Sequence, residues 1–83
     1  MNDRSSIEQK VAQIFEDVFD VDPSDLKPES SPDEIEKWDS LGHVNLMAAL
    51  EDTFGFVVPP EDQIEMLNFE LVCDVICERL DIS

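Results

Sequence analysis

Five prolines set the outline of what this chain can fold into. Pro23, Pro28 and Pro32 crowd one stretch, and Pro59 and Pro60 stand side by side further on. Inside a helix a proline removes an N–H donor and clashes with the carbonyl one turn back. No long helix can therefore run through 20–39, nor across 59–60. Strands are also disfavoured, because Gly42 and Gly55 are too few for a chain of tight β-turns and no stretch alternates cleanly between polar and apolar. What the prolines leave intact carries helical spacing.

Ile7, Val11, Ile14, Phe15 and Val18 share one helix face, and Ser5 with Glu8 has the spacing of a capping box, which predicts a helix over 5–19. The segment 20–39 is predicted to be a long loop, pinned to the core by Leu26, Ile35 and Trp38; loops of that length in small domains tend to carry function. Asp39 is a suitable N-cap and Gly55 a suitable stop, giving a helix over 40–54. Pro60, Glu61 and Asp62 suit the first turn of a short helix over 60–66. Asn68 then caps a helix over 69–80, with Phe69, Val72, Cys73, Ile76 and Leu80 facing inward. The expected fold is all-α: one domain over 1–83, a small three- to four-helix bundle with a long loop between its first and second main helices.

Charge narrows the function. The 83 residues hold 21 acids against 5 bases, a net charge of −16. Nucleic acids and anionic membranes attract basic surfaces, so neither is an expected partner. With 42% hydrophobic residues there is enough for a core. No apolar run approaches a membrane span and MNDRSSIEQK lacks the apolar stretch of a signal peptide, so a cytoplasmic monomer is expected. Cys73 is placed in the core as an apolar filler and Cys77 at its edge; two cysteines with one histidine make neither a disulfide framework nor a good zinc site. A calcium loop starting at Asp20 would need Gly and Glu where Asp25 and Ser31 stand. No metal site is expected. Clustered carboxylates should still attract cations weakly and repel one another.

The segment SLGHVNLMAALEDTF is apolar on two sides. His43, Leu46, Met47, Leu50 and Phe54 gather on one face, and Leu41, Val44 and Ala48 on the opposite one, flanked by Asn45, Glu51 and Asp52. An 83-residue domain buries one such face well, which leaves the second as a candidate docking strip, apolar for adhesion and acidic at its edge for steering. His43 falls on the inner face, where it is expected to hydrogen-bond the long loop; no second activating group accompanies it, and no catalytic residue is expected in the chain. Ser40 begins this helix next to Asp39. A helix N-terminus offers free N–H groups and a positive partial charge to a phosphate. A phosphate there would also meet Asp39 and a strongly negative surface, so on that pattern alone Ser40 reads as an ordinary cap or first-turn residue.

The run WDSLGHVNLMAALEDTFG, residues 38–55, resembles the core of an acyl carrier protein, and the order of helices, long proline-containing loop and acidic second helix extends the resemblance over nearly the whole chain. In that family the serine of a D-S-L motif carries 4′-phosphopantetheine. The resemblance implies that Ser40 receives this arm from coenzyme A through a phosphopantetheinyl transferase. It also implies that the arm's thiol holds acyl groups as thioesters, and that loading, condensing and tailoring enzymes dock through basic patches. The implied partner-binding residues are Asp39, Leu41, Val44, Asn45, Ala48, Glu51 and Asp52. Reversing Glu51 and Asp52 to Lys is expected to slow transfer onto Ser40 and leave the fold intact. Related carriers of aminoacyl groups, or an unmodified acidic interaction module, would share the size and charge. Gly42 and Asn45 stand where fatty-acid carriers often have acids, and Ala48 where a larger side chain is common. These departures and Trp38 are closer to carriers of specialised lipid, polyketide or related pathways. Gly42 also costs its helix roughly 0.5–1 kcal/mol relative to Ala, and it is expected to leave room for the arm or for a partner's backbone.

Overall fold

A computed structural model of the chain describes residues 3–80. In order it contains α1 (Arg4–Phe19), a 3-10 turn (Pro23–Asp25), α2 (Ser40–Phe54), the short α3 (Pro60–Gln63) and α4 (Phe69–Arg79). No strand occurs among the described residues. None of their helices is long and apolar enough to cross a membrane.

Each helix starts on a side chain or proline that the local sequence supplies. Asp39 accepts the Gly42 N–H at 2.8 Å to begin α2, and Asn68 accepts the Leu71 N–H at 2.8 Å to begin α4. Pro60 opens α3 at a position where its missing N–H is no loss. Gly55 ends α2 in the left-handed region at φ 78°, which a residue without Cβ adopts freely. At the end of α1 the same conformation falls to Asp20, φ 57°, whose N–H reaches the Glu16 carbonyl.

Two helix ends differ from expectation. The cap of α1 is Asp3, not Ser5: its carboxylate accepts the Ser6 N–H at 2.8 Å, a bond that holds its carboxyl below the ordinary range. Glu8 does not reach back to close a capping box, because Arg4 takes its carboxylate (Nε–Oε2 3.2 Å) while also pairing with Asp74 of α4 (2.6 Å). A charged acceptor two residues upstream thus wins over the serine hydroxyl. α3 stops at Gln63, short of the expected 66: the Ile64 N–H still reaches the Pro60 carbonyl one helical turn back, but those of Glu65, Met66 and Leu67 find only turn-like partners, and Met66 is buried in the core.

α1 packs against both α2 and α4, burying Ile7, Val11, Ile14, Phe15 and Phe19 against Leu46, Met47 and Leu50 and against Val72, Cys73, Val75, Ile76 and Cys77. Each fully buried Phe, Leu or Ile contributes roughly 1.5–3 kcal/mol. Cys77, expected at the edge, is buried because α1 runs along α4 with Arg4 beside it.

The loop 20–39 is stitched down. Ile35 and Trp38 are buried and Leu26 partly so. Phe15 meets Phe19, Trp38 and Phe69 edge to face, each at 5.2 Å between centroids, while Phe19 and Trp38 stack at 5.6 Å. The buried Ser30 accepts the Lys27 N–H on its hydroxyl (2.9 Å), and its carbonyl accepts the Phe69 N–H (2.8 Å). Pro28 offers its carbonyl to Glu70 (3.0 Å). Two N–H groups at the start of α4, which no helical partner could satisfy, are therefore met by the loop.

Candidate functional site

All of this brings the end of the loop to the start of α2. Asp39 is extended and Ser40 is the first helical residue, exposed to solvent. Of the first N–H groups of α2, that of Gly42 is bound to the Asp39 carboxylate and that of His43 to the Asp39 carbonyl (2.8 Å). The N–H groups of Ser40 and Leu41 have no partner among the described residues. An exposed hydroxyl thus stands beside two unpaired donors at the positive end of a helix four turns long. A phosphoester there gains about 0.3–1 kcal/mol from the helix dipole, and the nearest carboxylate, Asp39, already spends one oxygen on Gly42.

Beside Ser40 lies a groove of about 640 Å³, walled by Trp38, Asp39 and His43 on one side and by Pro60, Ile64 and Leu67 on the other. Its size falls within the ordinary range for small-molecule sites. The far wall, from α3 and the turn after it, was not visible as part of the site in the sequence. Ile64 and Leu67, apolar and three residues apart, were the signal available, but that spacing suits an ordinary helix face as well; the structure leaves both exposed.

α2 does have two apolar sides. Leu46, Met47 and Leu50 are buried, whereas Leu41 is 71% and Val44 62% exposed. Asn45, Ala48 and Asp52 are exposed with them. The long loop therefore does not cover the outer strip. Glu51 departs from the expected acidic edge: it is half-buried, and its carboxylate accepts the Val58 N–H at 3.0 Å, tying the turn after α2 back to the helix. A Lys there would turn an acceptor into a donor facing an N–H, so the expectation that Glu51→Lys leaves the fold intact is corrected.

Gly42 is also corrected. A Cβ built there would overlap the Lys37 carbonyl oxygen and lie 3.0 Å from Phe19 Cε1. The space a side chain would need is filled by the chain's own loop, not left open for an arm or a partner. His43 behaves as expected: its Nδ1 accepts the Trp38 indole N–H at 3.1 Å, and the two rings lie 8° from parallel at 6.4 Å.

Neither cysteine competes as a reactive thiol. Both are buried, and burial pushes the Cys73 thiol up to about 12 and that of Cys77 upward as well. No group of His, Cys, Asp and Glu suited to a metal ion occurs among the described residues.

Residues 9–76, from α1 to α4, match the family model described as the phosphopantetheine attachment site. The acyl carrier protein of Rubrobacter xylanophilus is 37% identical, over 93% of this chain and 95% of that protein. That of Thermosynechococcus vestitus is 38% identical over the same shares. The chain belongs to the acyl carrier protein family. A third relative, acyl carrier protein 2, mitochondrial, of Arabidopsis thaliana, is 30% identical over 93% of the carrier and 61% of its own length. The chain's function is that of an acyl carrier with phosphopantetheine as the group the family attaches, and its all-helical fold agrees with that membership. Its residues fit the arm: a solvent-facing hydroxyl, unpaired N–H groups for a phosphate, and a groove to lie in.

Proposed function

We propose that Ser40 is the attachment point of the arm and that the outer strip of α2 is where partner enzymes dock. The observation that carries this is the coincidence, within one helical turn, of an exposed serine hydroxyl, two N–H groups unpaired among the described residues and an apolar strip that none of those residues covers. In the loading step Ser40 Oγ bonds to the phosphorus of coenzyme A that bears the pantetheine; adenosine 3′,5′-bisphosphate leaves and the serine proton passes to a base of the transferase. The Ser40 and Leu41 N–H groups face the phosphodiester so formed. When attached, the arm supplies a thiol that carries acyl groups as thioesters. Leu41 and Val44 give a partner apolar contact, while Asp39 and Asp52 draw it in by charge. The groove toward Ile64 and Leu67 is roomy enough for the arm or the first carbons of its cargo.

The pathway we assign is a specialised lipid, polyketide or related one. Neutral Gly42 and Asn45 and the shallow Ala48 give α2 a less charged and flatter docking strip than a D-S-L helix with acids at those places. Gly42 has a packing role of its own, so Asn45 and Ala48 carry this part.

Incubation with coenzyme A, Mg²⁺ and a promiscuous phosphopantetheinyl transferase, followed by intact mass spectrometry, tests the attachment. One phosphopantetheine is expected on the protein and none on Ser40→Ala. An unmodified wild type, or a modified Ser40→Ala, rejects the assignment.

A further inference from the structure

We propose that His43 is a positioning residue for loading: by holding the Trp38 indole it fixes the start of α2 and so the direction in which Ser40 Oγ is presented. This rests on Ser40 being the attachment point.

Three ties join the residues just before Ser40 to those just after Leu41. The Asp39 carboxylate binds the Gly42 N–H, the Asp39 carbonyl binds the His43 N–H, and the Trp38 indole N–H binds His43 Nδ1. Behind them the Lys37 carbonyl is seated against Gly42 so closely that no other residue fits. Residues 37–39 are thus clasped onto 42–43, and only Ser40 and Leu41 lie outside the clasp. Two of the ties use backbone or a cap that many helices possess. The third uses side chains alone and is the one that sets where the loop's last buried residue sits: Trp38 is 2% exposed and stacked on Phe19.

An indole N–H is a donor only, so Nδ1 must accept and the imidazole proton sits on Nε2. That hydrogen bond lies at the wall of the groove beside Ser40. Removing the acceptor strands a donor on a buried ring and loosens the seat of Trp38, so that Asp39 and Ser40 shift within the two ties that remain. The outer strip is untouched, so partner binding should persist while productive geometry is lost.

The test is steady-state loading by a transferase with coenzyme A, varying the carrier. His43→Ala should lower kcat by at least about fivefold, the scale of one lost hydrogen bond, with KM within about twofold of wild type. His43→Asn should restore most of the rate, because its amide oxygen occupies the place of Nδ1. Trp38→Phe, which keeps a ring in the core while deleting the donor together with part of the indole's volume, should resemble His43→Ala and covers the case in which His43→Ala does not fold by circular dichroism. Equal kcat for wild type and Trp38→Phe, a loss confined to KM, or His43→Asn as slow as His43→Ala overturns the proposal. A wild type that loads at Ser40 with an unaffected His43 series removes this inference alone; a wild type that does not load removes the attachment reading beneath it.

Discussion

Gly42 is the residue at which two physical effects pull in opposite directions with magnitudes large enough to compare. Helix propensity alone favours Gly42→Ala by about 0.5–1 kcal/mol. Overpacking against a neighbour that cannot move costs about 1–3 kcal/mol, and here the neighbour is backbone: the Lys37 carbonyl, held by the ties around Trp38 and Asp39. The clash should win. Gly42→Ala is expected to melt several degrees lower, at roughly 4–8 °C per kcal/mol for a domain of this size, by differential scanning calorimetry. A higher melting temperature would show that residue 42 is an ordinary helix position. The sequence exposed only half of this. The glycine's cost to the helix was legible, but its partner lies five residues upstream in a stretch without periodicity, and no spacing rule connects 37 to 42. The Trp38–His43 bond is a contrast. It spans the same gap, yet an inner-face histidine and a loop tryptophan both need partners, so their meeting could be expected.

At the scale of elements, α2 was the most legible part of the chain and its downstream turn the least. A cap residue, a glycine stop and two apolar faces fixed the ends and orientation of α2, because all three signals are local. Glu51 was misassigned because its partner, the Val58 N–H, lies beyond the glycine in a turn that periodicity does not describe. The difference separates the two acids experimentally. Asp52→Lys, on an exposed side chain, should leave the melting temperature unchanged within the equivalent of about 0.5 kcal/mol and slow loading mainly through association. That slowing should fade as salt is raised. Glu51→Lys should lower the melting temperature, by the cost of about 1–3 kcal/mol for an unsatisfied donor, and Glu51→Gln, which keeps an acceptor, should recover most of it. Val44→Asp should weaken docking at every ionic strength, since it removes apolar contact. Loading kinetics at low and high salt beside thermal melts decide these assignments. If Asp52→Lys loads at the wild-type rate in low salt, the acidic edge does not steer.

Across the whole molecule the same acidity that suits a carrier to basic partners works against its fold. Of the five bases, Arg4 bridges Glu8 and Asp74, Arg79 pairs with Asp62 at 2.6 Å, and Lys37 stands 3.7 Å from Asp20. Each of these pairs is at least partly exposed, a class of interaction worth about 0–1 kcal/mol. Against them stand 21 acids, and most of those among the described residues have no cation nearby. Salt weakens attraction and repulsion alike, with a screening length of about 10 Å at 0.1 M. The sign of its effect is set by which is more abundant, and with a net charge of −16 repulsion dominates. Sodium chloride should therefore raise the melting temperature. Magnesium should raise it further at equal ionic strength, because a divalent ion associates with neighbouring carboxylates without needing a built site. A melting temperature that stays flat or falls across both titrations would mean that the exposed ion pairs, and not the unpaired carboxylates, govern the stability of this small bundle.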